Sequence, residues 1–370
     1  MTSERDEAMR GFLARAGWDR ARLSPLPGDA STRRYLRAAD GSRKAMLMDQ
    51  PQHAETPAAP PGATPAERRA LGYNAVARLA GADCARFVAV AEFLRGRGLS
   101  APEIFAADTG QGFVLMEDLG NDLYADVLGN GADEKVLYRA AVEALARLHA
   151  DPAPATLGAG KALYAYDETA LMAETDLMTE WYLPLALGRA ARTEETEEHR
   201  AHWKKALAAL GSRSPVFVHR DYHAQNLMWL PGRSGNARVG VIDFQDAVAG
   251  TKSYDIISLM EDARRDVSPE LSRAMTDHYL NEMARSGHKL DADAHKAEMA
   301  LLAAQRNAKI VGIFSRLFRR DGKPRYLGYL PRVWTYLDRD LDHPALADLK
   351  AWYGRTLPAD KRTKVEGLAA

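Results

Sequence analysis

The pattern of hydrophobic and polar positions divides the chain into a strand-rich first third and a helix-rich remainder. An amphipathic helix is predicted over residues 5–17. Residues 26–37 then have small polar residues leading into an alternating pattern, and residues 44–48 form a return strand. Two further short apolar runs, residues 102–106 and 112–116, predict two more strands. The first third is therefore expected to form a small antiparallel sheet.

Within the first third, residues 54–66 form a loop rich in proline and alanine. In the same third, a helix is predicted over residues 84–97, with Phe87, Val90, Ala91 and Leu94 on one face. The rest of the chain repeats apolar residues at helical spacing. Further helices are predicted over residues 133–150, 168–188, 195–210, 253–264, 268–287, 292–320 and 344–354. The polar tail, residues 360–370, is predicted to be mobile. We predict an α+β fold with two lobes: a sheet lobe over residues 1–116 and a larger, mainly helical lobe over residues 117–370.

Composition narrows the classes of function. Hydrophobic residues make up 46% of the 370 positions, which is enough for substantial cores. The 50 Lys and Arg residues balance 50 Asp and Glu residues, so charge gives no support for nucleic acid or an anionic membrane as a partner. A single cysteine, Cys84, excludes an internal disulfide. With no apolar leader and no run of membrane-span length, we expect a cytoplasmic protein.

Two short blocks carry the candidate chemistry. Residues 219–226 have the spacing H-R-D-x-x-x-x-N, and Asp243 follows an apolar run about one hairpin later. Phosphoryl transfer needs one carboxylate to accept the hydroxyl proton. A second carboxylate and an amide oxygen hold magnesium on the nucleotide phosphates. The alternative is that Asp221 and Asn226 are turn residues and Asp243 caps a strand end.

Together with the first block, four segments, one of which contains Asp243, resemble a known family. They are residues 28–35, 241–247, 254–259 and 305–314. The chain resembles the aminoglycoside phosphotransferase/choline kinase superfamily, which has the protein-kinase-like fold. Within it, the segments look most like the anomeric sugar kinases of cell-wall recycling. The resemblance implies ATP and Mg²⁺ as cofactors and an amino sugar, N-acetylmuramate or N-acetylglucosamine, as the acceptor that becomes a 1-phosphate.

The resemblance also implies roles for individual residues. Asp221 is the expected general base, and Asn226 and Asp243 are the expected metal ligands; these three form the predicted catalytic set. Three further residues are expected to support the loop without taking part in the chemistry: His219, Arg220 and Asp255.

The nucleotide site departs from the usual kinase pattern. The loop of the first lobe has one glycine, Gly28, and the strand that begins at Lys44 has Met48 where kinases place the lysine of their third strand. Arg33 or Arg34 supplies that charge, or Lys44 reaches in from the start of the strand. The residues predicted to bind the nucleotide are Ser31, Thr32, Arg33 and Lys44, with Met116, Glu117 and Leu119 at the hinge.

The acceptor pocket is assigned from position and chemistry. Glu180 and Trp181 offer a carboxylate and an aromatic plane for a sugar, although on sequence alone an ordinary amphipathic helix is the favoured explanation. Gln245 and Asp246 follow the metal ligand, as acceptor contacts or structural caps. Arg306, Lys309 and Arg316 are candidates for the lactyl carboxylate of muramate, although basic residues on a long helix usually face solvent.

Two other functions stay open. The first is a kinase of another small alcohol, such as an aminoglycoside, choline or homoserine; a polycationic aminoglycoside fits poorly with Arg189 and Arg192 near the acceptor segments. The second is a catalytically silent, kinase-like nucleotide-binding module. The missing strand lysine favours that module, whereas the retained catalytic set argues against it. A monomer is compatible with the sequence, which does not fix the oligomeric state.

Overall fold

A computed structural model describes residues 4–28, 32–51, 55–210, 214–288 and 291–367. Its strands are β1 (Arg22–Pro25), β2 (Arg34–Asp40), β3 (Arg43–Asp49), β4 (Ile104–Asp108), β5 (Phe113–Met116), β6 (Val216–Val218), β7 (Leu227–Trp229), β8 (Val239–Val241) and β9 (Val248–Gly250). The helices before the catalytic blocks are α1 (Glu4–Arg15), α2 (Pro65–Leu71), α3 (Tyr73–Val76), α4 (Cys84–Gly96), α5 (Tyr124–Gly129), α6 (Glu134–His149), α7 (Glu168–Leu177), α8 (Leu183–Leu187) and α9 (Thr193–Ala208). The later ones are α10 (Ser253–Met260), α11 (Pro269–Arg285), α12 (Ala292–Asp321), α13 (Leu330–Asp340), α14 (Ala347–Thr356) and α15 (Ala359–Glu366).

The chain packs as two compact units whose segments interleave along the sequence. The first unit comprises Met1–Leu148, Pro154–Tyr164 and Ala224–Val248. The second comprises His149–Ala153, Ala165–His223 and Ala249–Ala370. The division into lobes at residues 116 and 117 stays a prediction. Within the described ranges, no helix combines the length and apolar character needed to cross a bilayer.

The first unit is built on an antiparallel sheet with the strand order β1-β2-β3-β5-β4. Because side chains alternate across a strand, Ala45 and Leu47 of β3 share a face with Phe113 and Leu115 of β5. Helix α1 covers this face with a buried apolar side, and the Phe12 and Phe113 rings stack with centroids 5.6 Å apart. Each fully buried large apolar side chain contributes about 1.5–3 kcal/mol to folding.

Helix α4 and the β7–β8 hairpin complete the first unit. The predicted inner face of α4 is buried at Phe87, Val90, Ala91 and Leu94, so that prediction is confirmed. Asp83 caps the helix by accepting from the backbone N–H of Arg86. The Phe87 ring also stacks on Phe244, with centroids 4.8 Å apart. This packing fixes the chain just after Asp243 against α4.

The second unit is organised around the 30-residue helix α12. Its middle is enclosed on all sides, since apolar and polar positions alike are buried from Leu301 to Val311. The expectation that its basic residues face solvent is therefore wrong for Arg306 and Lys309. Buried polar side chains are costly without partners, so each must be paired inside the protein.

One glycine lets α12 lie directly against α7. A methyl group at Gly312 would lie 2.5 Å from both Cβ and the carbonyl carbon of Leu177. Gly312→Ala is therefore expected to lower the free energy of unfolding by about 1–3 kcal/mol through overpacking. Urea unfolding followed by circular dichroism measures the change.

The matched control is Gly354→Ala on α14, where the added methyl group meets nothing within 4 Å. That change is expected to raise the free energy of unfolding by about 0.5–1 kcal/mol, because alanine favours the helix. Equal stability of the two variants would contradict the close approach of α12 and α7.

Some regions differ from the sequence prediction. Helices α2, α3, α5 and α13 lie in stretches for which no helix is predicted. The polar tail is also helical over α15, so its prediction as a mobile segment is wrong for those residues. Val365 is fully buried, and the Arg362 guanidinium lies over the Trp334 ring at 3.9 Å. These contacts come from distant parts of the chain and order a segment whose local sequence is polar.

Candidate active site

The loop that carries Asp221 follows β6, and the side chain of Asp255 stabilises it through hydrogen bonds to its backbone. The carboxylate of Asp255, in the first turn of α10, accepts from the backbone N–H of His219 at 2.7 Å and of Arg220 at 2.9 Å. Arg220 has a φ of 77°, a left-handed value that is costly for a residue with a side chain. The two hydrogen bonds stabilise this backbone, which turns the chain immediately before Asp221.

A buried carboxylate, Glu174 of α7, ties the same loop to α12. It pairs with Arg220 and with Lys309 (Nζ to Oε1, 3.1 Å), and it accepts from the amide of Gln305 at 3.0 Å and from the hydroxyl of Tyr166. Burial alone raises the pKa of Glu174, but Lys309 and Arg220 outweigh it and bring the pKa below its ordinary value. Glu174 lies outside every motif that the sequence displays.

Asp221 lies in a positive environment within the second unit. Burial by itself raises the pKa of its carboxyl group, but the positive charge of Lys309, together with those of Arg306 and Arg220, lowers it well below the ordinary value. The carboxylate is therefore ionised at neutral pH. An ionised, fixed carboxylate can orient a hydroxyl group and accept its proton late in a reaction.

The other two motif residues, Asn226 and Asp243, lie in the first unit, at one end of the β7–β8 hairpin. Leu227 pairs with Val241, and the N–H of Ile242 donates to the carbonyl of Asn226 at 3.0 Å. This register brings Asn226 beside the residue that precedes Asp243. Asp243 has a φ of 59°, so it is a second motif position with left-handed backbone.

An amide oxygen and a carboxylate at one hairpin end are the oxygen donors that Mg²⁺ prefers, and Mg²⁺ takes few protein ligands besides phosphate and water. The Asp243 side chain is 50% exposed, so a metal ion has access to it. Within the described part of the chain, no cluster of three or more His, Cys, Asp or Glu side chains is arranged to hold a metal ion. Two oxygen donors at an accessible position fit an ion that takes its remaining ligands from phosphate and water.

Arg33 is the cation that the structure places beside Asp243. Its Nη1 lies 3.5 Å from Oδ1 of Asp243, and its side chain is only 9% exposed. Burial on its own lowers the pKa of Arg33, whereas the nearby Tyr35 phenol and the carboxylates of Asp246 and Asp243 raise it above its ordinary value. By contrast, Arg34 pairs with the buried Asp49, and Lys44 is exposed near the start of β3.

The segment after Asp243 is fixed mainly through its backbone. The guanidinium of Arg86, buried on α4, donates to the carbonyls of Gln245 at 3.0 Å and Ala247 at 2.6 Å. The amide of Gln245 donates to Asp243 at 3.0 Å, and Asp246 accepts from the N–H of Ala80 at 2.6 Å. Gln245 and Asp246, predicted as acceptor contacts or structural caps, therefore both make contacts that stabilise this segment.

The predicted nucleotide loop is described in part. Ser31 lies outside the described residues. Thr32 donates from its hydroxyl to Glu55 at 2.6 Å and accepts from the amide of Gln50 at 3.1 Å. These contacts tie the loop to the chain after β3.

The predicted hinge leaves the end of β5. Met116 is buried as the last residue of the strand, and the N–H of Glu117 donates to the carbonyl of Glu103 at 2.8 Å. Glu117 and Leu119 are partly exposed. The side chain of Glu117 also pairs with Arg233, which lies in the turn between β7 and β8. The hinge is thus attached to the hairpin that carries Asn226.

The predicted acceptor residues Glu180 and Trp181 lie in an irregular helical segment. Met178–Tyr182 forms a single π-helical turn between α7 and α8, and such turns often occur at functional sites. Partial desolvation and the neighbouring Asp176 raise the pKa of Glu180, while Arg200 and Arg316 oppose the rise. The turn presents Glu180 at the surface and leaves Trp181 partly buried.

The two predicted acceptor cations on α12 have partners inside the second unit. Arg306 donates to the carbonyl of Glu261 at 3.1 Å and to the hydroxyl of Ser258 at 2.8 Å. Lys309 pairs with Glu174, as described above, and Glu174 with Tyr254 raises its pKa against the effect of burial. Both side chains thus support the surroundings of Asp221, and their role toward a substrate stays a prediction.

Comparison with known proteins decides the family. Residues 22–292 match the phosphotransferase enzyme family. The chain belongs to this family. It is 46% identical to the N-acetylmuramate/N-acetylglucosamine kinase of Caulobacter vibrioides, over 98% of this chain and 99% of the relative. It is 36% identical to the protein of the same name from Pseudomonas aeruginosa, over 93% and 92% of the two chains.

A solved structure supports the fold of this phosphotransferase. The microcompartment-associated aminopropanol kinase matches with a TM-score of 0.57 and 17% identity, over 90% of this chain and 98% of that one. At this identity the likeness shows the fold alone. The predicted superfamily resemblance and the predicted α+β kinase-like fold are both confirmed.

Proposed function

We propose that the protein is an ATP- and Mg²⁺-dependent kinase that phosphorylates the anomeric hydroxyl of N-acetylmuramate and N-acetylglucosamine. The observation that carries this proposal is the 46% identity, over nearly the whole of both chains, to a kinase named for these two sugars. Transfer to the anomeric oxygen yields a sugar 1-phosphate and ADP.

The proposed roles follow the geometry of each unit. Asp221 accepts the proton of the anomeric hydroxyl, and its loop is kept in place by Asp255 and Glu174. Asn226 and Asp243 hold the metal ion. When bound, Mg²⁺ would neutralise charge on the phosphate oxygens as the phosphoryl group leaves ADP.

Arg33 is our candidate for the residue that takes over the role of the lysine that kinases carry in their third strand. Its buried guanidinium beside Asp243 supplies the positive charge at the metal ligand, while Arg34 is paired with Asp49 and Lys44 is exposed. An arginine can also bind phosphate through two parallel N–H groups. This assignment weakens the main argument for a catalytically silent module.

The test is an ADP-release assay with a panel of acceptors. We expect turnover with N-acetylmuramate and N-acetylglucosamine, and kcat/KM at least about 100-fold lower with choline, homoserine and an aminoglycoside, since a site built for one acceptor's hydroxyls rejects others strongly. Phosphorus NMR of the product distinguishes a 1-phosphate from a 6-phosphate. A 6-phosphate would contradict the proposed position of transfer. ATP binding without turnover of any acceptor would instead favour the silent module.

A further inference from the structure

Arg264 lies in the loop that follows α10 and reaches the loop that carries Asp221. Its Nη1 is 3.5 Å from Nε2 of His223, two positions after Asp221 in the chain. Its guanidinium also lies over the Phe314 ring of α12, 5.7 Å from the centroid. The Arg264 side chain is partly exposed. It is therefore supported by two neighbours and still accessible to a ligand.

The contact with His223, at the 3.5 Å limit of a hydrogen bond, places Arg264 next to the loop that carries Asp221. His223 is buried, and burial lowers its pKa to about 4 although Asp262 opposes the shift. The ring is neutral at neutral pH, so its Nε2 can accept an N–H from Arg264. The backbone N–H of His223 donates to the carbonyl of Asp221 at 3.1 Å.

Arg264 differs from the other cations around Asp221. Arg220 and Lys309 are paired with the buried carboxylate of Glu174, and Arg306 is bound to Ser258 and a backbone carbonyl. Among the residues that the structure describes, no carboxylate forms a salt bridge with the Arg264 guanidinium; the neighbouring carboxylate of Asp262 instead accepts from the backbone N–H of Arg264 at 2.8 Å. Its charge is therefore available for an anion from outside the protein.

The two proposed acceptors differ in one ionised group. N-acetylmuramate carries a lactyl ether with a carboxylate, and N-acetylglucosamine has a hydroxyl at that position. Arginine binds carboxylates through two parallel charge-assisted hydrogen bonds. A sugar whose anomeric hydroxyl contacts Asp221 lies beside the loop to which Arg264 is attached.

We propose that Arg264 binds the lactyl carboxylate of N-acetylmuramate and so determines the preference between the two sugars. The proposal rests on the proposed sugar-kinase function. It replaces Arg306 and Lys309, whose charges are directed to partners inside the protein, as the residues that recognise this group.

The test compares kcat/KM for both sugars in wild type and three variants. Arg264→Gln is expected to lower kcat/KM for N-acetylmuramate by about 10- to 100-fold, the usual effect of losing a charge-assisted pair, and for N-acetylglucosamine by less than about 3-fold. Arg264→Lys keeps the charge but lacks the planar guanidinium, so its kcat/KM for N-acetylmuramate should lie between the values of wild type and Arg264→Gln. Arg273→Gln, at an exposed position of α11, is the matched control and should change neither value. Thermal melting of each variant checks that it is folded.

The possible outcomes test the role of Arg264 and the proposed kinase activity separately. A selective loss with N-acetylmuramate, partly restored by lysine, supports the assignment. An equal loss with both sugars, or an unchanged ratio, overturns the role of Arg264 and leaves the kinase activity standing. If the wild type turns over neither sugar, the proposed function fails and the assignment of Arg264 falls with it.

Discussion

Asp221→Asn is expected to lower kcat by about 10²–10⁴-fold, the usual contribution of a positioned acid/base group. Asparagine keeps the shape of the side chain but cannot take the proton of the acceptor hydroxyl. The affinity for ATP should change little, because the proposed metal ligands Asn226 and Asp243 are untouched. Steady-state kinetics and isothermal titration with a non-hydrolysable ATP analogue measure the two quantities.

The control for this substitution is Asp277→Asn, which removes an exposed carboxylate on α11 and should leave kcat unchanged. Because the positive neighbours lower the pKa of Asp221, its carboxylate is ionised throughout the neutral range. The wild-type kcat should therefore show no loss between about pH 6 and pH 8 from protonation of this group. A near-normal rate in Asp221→Asn would show that the base is assigned wrongly.

Asp243→Asn is expected to abolish Mg²⁺-dependent turnover. The change removes the charged member of the proposed metal pair and leaves only neutral amide donors. Asparagine tolerates the left-handed backbone at this position better than alanine does, so it separates loss of the metal ligand from strain. Titration of an ATP analogue with and without Mg²⁺ gives a readout that does not depend on activity: the wild type should bind more tightly with the metal, and the variant should not.

The contrasting variant is Arg33→Gln, which removes the cation beside Asp243 and keeps both proposed metal ligands. We expect weaker nucleotide binding that still improves when Mg²⁺ is added. If Asp243→Asn retained a normal response to Mg²⁺, the metal assignment would have to be abandoned.

Local sequence was enough to locate the candidate chemistry and most of the fold. The spacing around Asp221 and Asn226 and the apolar run before Asp243 lie within short windows, where motif and strand pattern coincide. The helical stripe of α4 was predicted correctly for the same reason, since its buried positions recur within one helix.

Contacts between distant segments could not be predicted in this way. The buried pairing of Glu174 with Arg220 and Lys309 joins three separate segments, and no local pattern marks Glu174. The choice among Arg33, Arg34 and Lys44 was open because neighbouring residues near a strand point to different sides, and only the folded sheet shows which one meets Asp243. The ordering of α15 depends on Trp334 in the same way.

The interleaved chain order has a consequence for biosynthesis. The first unit needs Ala224–Val248, which leave the ribosome only after about a third of the second unit has been made. At roughly 5–20 residues per second, the β7–β8 hairpin emerges several seconds after Leu148. Until then, the nascent first unit exposes the apolar surface that this hairpin later covers, so chaperone binding during translation should be strongest in that interval.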